Sequence, residues 1–159
     1  MSDNNQEKSN FALIFANLLL RLWIALRLIA AGVDKFRAGS GKDATFSLQN
    51  YETKMANIAK LTYEKGFLPE KLCGLYAKPL GYILIVVGVW VLLGLFTELG
   101  LLAAGLTFLS LAIGLATLPD DTEVVLIGVH ILIVAAALVT NKANKISLDG
   151  LLFRKRNDD

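Results

Sequence analysis

The chain has one cysteine, Cys73, and one histidine, His130. An internal disulfide is therefore excluded, and neither a Cys-rich zinc site nor a Cys-ligated iron–sulfur cluster can be built from this chain alone. No G-x-G-x-x-G or phosphate-binding loop occurs. The lone histidine has no placed Ser or Cys beside it, which leaves acyl chemistry unsupported, and catalysis by the chain alone is not expected. A net charge of +2 without a dense Arg/Lys stripe gives no reason to expect a nucleic-acid partner. The most consequential absence is local: from residue 79 to residue 140 there is no Lys or Arg at all.

What fills that stretch is apolar. Residues 80–97 and 99–118 carry no charge except at the Glu98 break, and residues 123–140 hold a single polar ring, His130, after the acidic turn containing Asp120, Asp121 and Glu123. A hydrocarbon layer about 30 Å thick needs roughly 20 apolar helical residues, so each segment is near the length of a membrane span. Composition agrees: 55% of residues are AVILMFWYC before any glycine is counted, whereas soluble domains reach about 45–50% with glycine included.

A further span is expected over residues 11–33, behind a polar stretch, 1–10, that lacks the basic character of a signal peptide and reads as a disordered tail. This first span carries Arg21 and Arg27. An arginine at a helix centre costs about 2.5–3.5 kcal/mol to insert, so each must face protein, water or lipid phosphate. Six residues apart, they point about 120° from one another and cannot share a narrow stripe. Snorkelling, a carboxylate on another subunit, and an anionic or carbonyl ligand are the open alternatives.

Between the first two spans, Leu48, Tyr51, Met55, Ile58 and Leu61 recur at spacings of three and four among charged residues, which predicts an amphipathic surface helix over 47–65, capped by Ser47 and ended by Gly66. Pro69 is suited to start another helix, and Pro79 to kink the approach to the next span. After the fourth span, Ile146, Leu148, Leu151, Leu152 and Phe153 suggest a segment that docks back, before a charged tail over 153–159. Charge counting does not fix the orientation, since Lys35 and Arg37 on one side compete with Lys142 and Lys145 on the other.

His130 is the main chemical candidate, because an ionisable ring inside a span needs a partner. It can fix packing, donate to or relay a proton for a quinone, or ligate haem. Tyr82 offers a hydroxyl to a quinone oxygen or a ring to the interfacial belt. Gly100, Ala104, Ser110 and Gly114 predict close helix contact along the third span. Trp90 and Cys73 read as packing residues.

Three short motifs carry a resemblance. GVDKF at residues 32–36, GLFTE at 94–98 and KISLDGLL at 145–152 resemble the DoxX family of small four-helix membrane proteins, which includes the membrane part of thiosulfate:quinone oxidoreductase. The likeness spans residues 20–152. It implies the bacterial inner membrane, cytoplasmic N- and C-termini and a link to quinone chemistry, with no particular substrate. Two departures stand out: an acidic residue implied near position 84 is Leu84 here, and Arg27 is an addition.

The expected fold is an all-α integral membrane four-helix antiparallel bundle, with the DoxX-like domain over 11–152. The expected function is an auxiliary or anchoring subunit of a quinone-linked oxidoreductase, with no cofactor of its own but with a quinone headgroup met by Arg27, His130, Tyr82 and Arg21. A purely structural subunit and a small-solute pathway are the alternatives. Membrane lipid and other subunits, or further copies of the chain, are the expected partners.

Overall fold

In the computed structural model, the backbone is described for residues 2–66, 68–116, 121–144 and 146–149, with side chains for all of these but 2–10 and 121. Five α-helices account for nearly all of it: α1 (Ser2–Asp34), α2 (Leu48–Lys65), α3 (Glu70–Leu93), α4 (Thr97–Ala116) and α5 (Asp121–Val139). Four of them are long and apolar enough to cross a membrane: α1 from Phe11, α3, α4, and α5 from Thr122. They run alternately up and down, α1 packing on α3 and α5, α4 completing the ring between those two, and α2 lying against α3. A two-residue antiparallel pair, β1 (Arg37–Ala38) with β2 (Thr45–Phe46), ties the α1–α2 loop.

The bundle is inside-out relative to a soluble one. Leu132, Val139, Leu106 and Val86 are among many large apolar side chains on the outer surface, as lipid-facing positions must be. The buried set is a narrow seam: Ile24, Ala25 and Leu28 of α1 meet Leu80, Leu84, Val87 and Val91 of α3, with Leu101, Ala104, Val134 and Ala137 from the other two spans. Leu84 is 1% exposed, so the position where resemblance implied an acid belongs to the apolar core.

Glycine brings α1 and α3 together. A Cβ on Gly32 would fall 2.6 Å from Ile85 Cγ1 and 2.9 Å from the Gly81 carbonyl, and one on Gly88 would fall 2.7 Å from Ile29 Cγ1. Without hydrophobic drive between helices in lipid, such close approach is what stabilises their packing. The sequence placed this role on the third span. There, however, a Cβ on Gly100 would meet Trp90 at 3.6 Å and one on Gly114 would meet only Tyr76 at 4.0 Å, ordinary or open contact. Ala104 is nonetheless fully buried, and a Cβ on Gly105 would fall 3.3 Å from Val134 Cγ1 of α5, so the third span does make close contact, while the shortest approaches are those of α1 with α3.

Several boundaries differ from expectation. Helical backbone begins at Ser2 and runs through the stretch expected as a tail, since extending a formed helix costs little. The approach segment and second span are one helix, Glu70–Leu93, continuous through Pro79, whose fixed φ is compatible with a helix even though it gives up one backbone bond. The helices that form the third and fourth spans start two residues earlier than the spans were expected to, at Thr97 and Asp121. Ser47 and Gly66 bound α2 as expected: the Ser47 hydroxyl accepts from the Asn50 N–H at 3.0 Å, and the Gly66 N–H donates to the Thr62 carbonyl. The docking of Leu151, Leu152 and Phe153 and the tail over 153–159 lie outside the described residues.

Candidate functional site

At the end of the bundle where α3 turns into α4, the chain builds a polar knot around Arg21. Gly94 ends α3 in the left-handed conformation (φ 66°), and Phe96 follows at φ 47°, costly for a bulky residue. Asp149 holds this turn. Its carboxylate accepts from the Phe96 N–H at 2.8 Å, the Thr97 N–H at 2.7 Å and the Thr97 hydroxyl at 2.8 Å, and its own N–H donates to the Gly94 carbonyl. An acid thus caps the positive end of α4 from a distant part of the chain. Burial works against the carboxylate, but the hydrogen bonds from Thr97 and Phe96, with the charge of Arg21, hold its pKa below the ordinary value.

Arg21 is 3% exposed. It donates to Asn144 Oδ1 at 2.6 Å, to the Ile146 carbonyl at 3.0 Å and to the Leu92 carbonyl at 3.4 Å. One turn earlier, Asn17 donates to the Ala137 carbonyl and the Thr140 hydroxyl, tying α1 to the end of α5. The guanidinium therefore faces the folded-back segment after α5, where its hydrogen bonds offset the cost of burial. Asn17, Asn144 and Asp149 were not singled out in the sequence. The motifs GLFTE and KISLDGLL carried the signal, because their Thr97 and Asp149 are the residues that meet.

His130 sits deeper. Its Nδ1 lies 2.8 Å from the Leu126 carbonyl one turn back. A carbonyl only accepts, so Nδ1 carries a proton, and in the neutral ring Nε2 is a bare acceptor. That Nε2 is shielded from solvent and has no partner among the described residues. The ring is stacked on Trp23 of α1 (centroids 6.4 Å apart) and tilted against Phe108 of α4 at 5.1 Å. Trp23 is itself half exposed on the outer face, so it forms the lipid-side wall of the niche.

Arg27 follows Trp23 by one turn of α1 and is exposed, with no ion pair among the described residues. It is about 9 Å of helical rise from Arg21 and about 12 Å from Lys35. Its charge is felt at Lys35, whose pKa is lowered first by burial and then by Lys54, with Arg27 adding to this and Asp34 and Glu123 opposing. Along α1, Arg27 stands one turn beyond Trp23, the residue whose ring stacks on His130.

Tyr82 belongs to the other end. Its ring is edge-on to Phe36 and Tyr51, which are stacked on each other at 4.5 Å. The Tyr51 hydroxyl donates to the Lys78 carbonyl and accepts from the Gly81 N–H, pinning α2 to α3. Beside it, Asp34 pairs with Arg37 at 2.7 Å and with Lys54 at 3.1 Å. This aromatic and charged belt marks one membrane boundary, as the Arg21 knot marks the other. The four candidates occupy three levels: Arg21 at one end, His130 with Arg27 between, and Tyr82 at the far end. Among the described residues, His, Cys, Asp and Glu form no group of three able to hold a metal ion.

No curated protein and no solved structure matches the chain. A family model does, over residues 66–159, taking in α3, α4, α5 and the segment that carries Asp149. Its description is the small subunit of thiosulfate:quinone oxidoreductase, DoxD. With four helices long and apolar enough to span a membrane, and with a match over more than half its length, the chain belongs to the DoxD family, a DoxX-like family of membrane subunits.

Proposed function

We propose that the chain serves as the membrane subunit of a quinone-linked oxidoreductase, and that the α1–α5 seam at His130, together with Arg27 of α1, receives the quinone headgroup. The observation that supports this most strongly is the unpartnered His130 Nε2, a bare lone pair held within the membrane between Trp23 and Phe108. In this tautomer the ring accepts a hydrogen bond or proton from a hydroquinone hydroxyl. Once protonated, it donates to a quinone carbonyl. Arg27, one turn beyond Trp23 on α1, supplies a fixed positive charge to the oxygen that gains electron density. Electron transfer itself requires a redox group on another subunit, which is consistent with a family described as a small subunit. In this reading Arg21 and Tyr82 keep the bundle ends closed rather than contact the ring.

The test is His130→Leu in the native membrane. A fall of at least tenfold in quinone reduction by the parent complex, with the chain still present at normal level, is the expected result. Unchanged quinone reduction would remove the seam from the pathway.

A second reading, an assembly subunit with no ligand of its own, draws on Arg27 alone. Among the described residues every carboxylate of the spans lies at a helix end (Asp34, Glu70, Glu98, Glu123), and in this reading Arg27 pairs with an acid of another chain. Arg27→Gln would then reduce recovery of the partner subunits while leaving quinone turnover per assembled complex intact.

A further inference from the structure

A second concavity lies far from His130, between α2 and the first turns of α3. One part, of about 840 Å³, is lined by Lys60, Glu64, Glu70, Lys71, Leu75 and Lys78, among others. A second part, of about 480 Å³, runs on toward Tyr51, Met55 and Tyr82. The two share Ala56, Ala59, Gly74 and Lys78, so they form one continuous groove with a floor of small residues.

Its position and its chemistry point the same way. Lys78 is the last charge before the uncharged length of α3, and the Asp34–Arg37–Lys54 cluster stands at the same end. The groove therefore opens at headgroup level and deepens toward the acyl layer. Its walls expose apolar surface that water would not favour: Leu75 is 73% exposed and Tyr63 49%. Its rim carries both signs. Lys71 and Lys78 sit seven residues apart on one face of α3 and make no ion pair among the described residues, whereas Lys60 is already opposite Glu64 at 3.6 Å. Glu70 adds a carboxylate beside Lys71 that makes no ion pair among the described residues.

We infer that this groove holds one phospholipid with an ammonium-bearing, zwitterionic headgroup. The phosphodiester oxygens accept from Lys71 and Lys78, the headgroup ammonium donates to Glu70, and an acyl chain lies on Ala56, Ala59 and Gly74. An anionic headgroup without an amine would leave Glu70 facing its negative charge, so the mixed rim selects the zwitterion. The bound lipid would extend the contact of α2 with α3, which protein atoms make through Tyr51, Met55, Ile58 and Ala59.

Gly74 provides a clean way to fill the groove, because a Cβ added there meets nothing within 4 Å. The wild-type chain, Gly74→Leu and the double variant Lys71→Gln/Lys78→Gln are each reconstituted in vesicles of equal phosphatidylethanolamine and phosphatidylglycerol. After mild detergent extraction, native mass spectrometry counts the retained lipid. One phosphatidylethanolamine per wild-type chain, lost from both variants while helical circular dichroism is unchanged, is expected. Retention in proportion to the vesicle composition, preference for phosphatidylglycerol, or equal retention by the folded Gly74→Leu variant would each overturn the assignment. Quinone turnover is a separate readout, so failure here leaves the His130 reading standing.

Discussion

Removing the carboxylate of Asp149 should loosen the end of the bundle more than any other single change outside the core. The side chain accepts three hydrogen bonds from the start of α4, at 2.7–2.8 Å, and lies within the field of the buried Arg21. Loss of a helix N-cap costs about 1 kcal/mol, with a range of roughly 0.5–2. An N–H left unsatisfied in a partly buried site costs about 1–3 kcal/mol, lessened here because water can reach part of the turn. Asp149→Ala is therefore expected to lose about 2–4 kcal/mol, and Asp149→Asn, which keeps one acceptor but no charge, about 1–2. At roughly 2–4 °C per kcal/mol for a chain of this size, the alanine variant should melt about 4–16 °C lower in detergent. Tryptophan fluorescence reports the turn directly, since the Trp90 indole donates to the Leu95 carbonyl at 2.6 Å. The pH dependence has a fixed sign. A carboxylate whose folded pKa is depressed contributes fully above its unfolded value of about 3.9, and that contribution is lost as pH falls through the folded value. The gap between wild type and Asp149→Asn should thus be constant near neutrality and narrow below about pH 4. A loss under about 0.5 kcal/mol for Asp149→Ala, within the range of ordinary surface changes, would refute the capping argument.

Three further outcomes follow from the geometry. His130→Leu should leave the melting temperature unchanged or slightly higher, because among the described residues the ring's one hydrogen bond is to Leu126 within its own helix and its Nε2 has no partner; a drop of more than about 2 kcal/mol in stability would mean that the ring holds the bundle together. Gly88→Leu should prevent the close α1–α3 approach, costing about 3 kcal/mol or more by overpacking, and would show as loss of monodisperse protein on size exclusion; Gly128→Ala, where a Cβ meets nothing, is the matched control. Tyr51→Phe removes the link between α2 and the Lys78 and Gly81 backbone, and should cost about 1–2 kcal/mol while raising protease cleavage within α2.

The four spans, the amphipathic helix and its caps were legible because they depend on local pattern: runs without charge, spacings of three and four, a serine before and a glycine after. Long-range pairing was not. Nothing near Arg21 in sequence announces Asn144 or Ile146, and an arginine in an apolar run reads equally as a snorkelling or a ligand-binding side chain. Asp149 looked like part of a motif rather than a cap for a helix starting at Thr97. The close α1–α3 contact was hidden for a related reason: glycines are scattered through every span, and only the backbone reveals which of them face a neighbour. His130 was visible as a chemical anomaly, whereas its tautomer follows only from the Leu126 carbonyl.

The central claim is tested most directly by isolating the tagged chain from its native membrane in mild detergent, identifying what accompanies it by mass spectrometry, and assaying the same fraction for quinone reduction. The account predicts stoichiometric recovery with a redox-group-bearing subunit and quinone reduction that disappears from membranes lacking the chain. Recovery of the chain by itself, with quinone reduction undiminished in its absence, would contradict it.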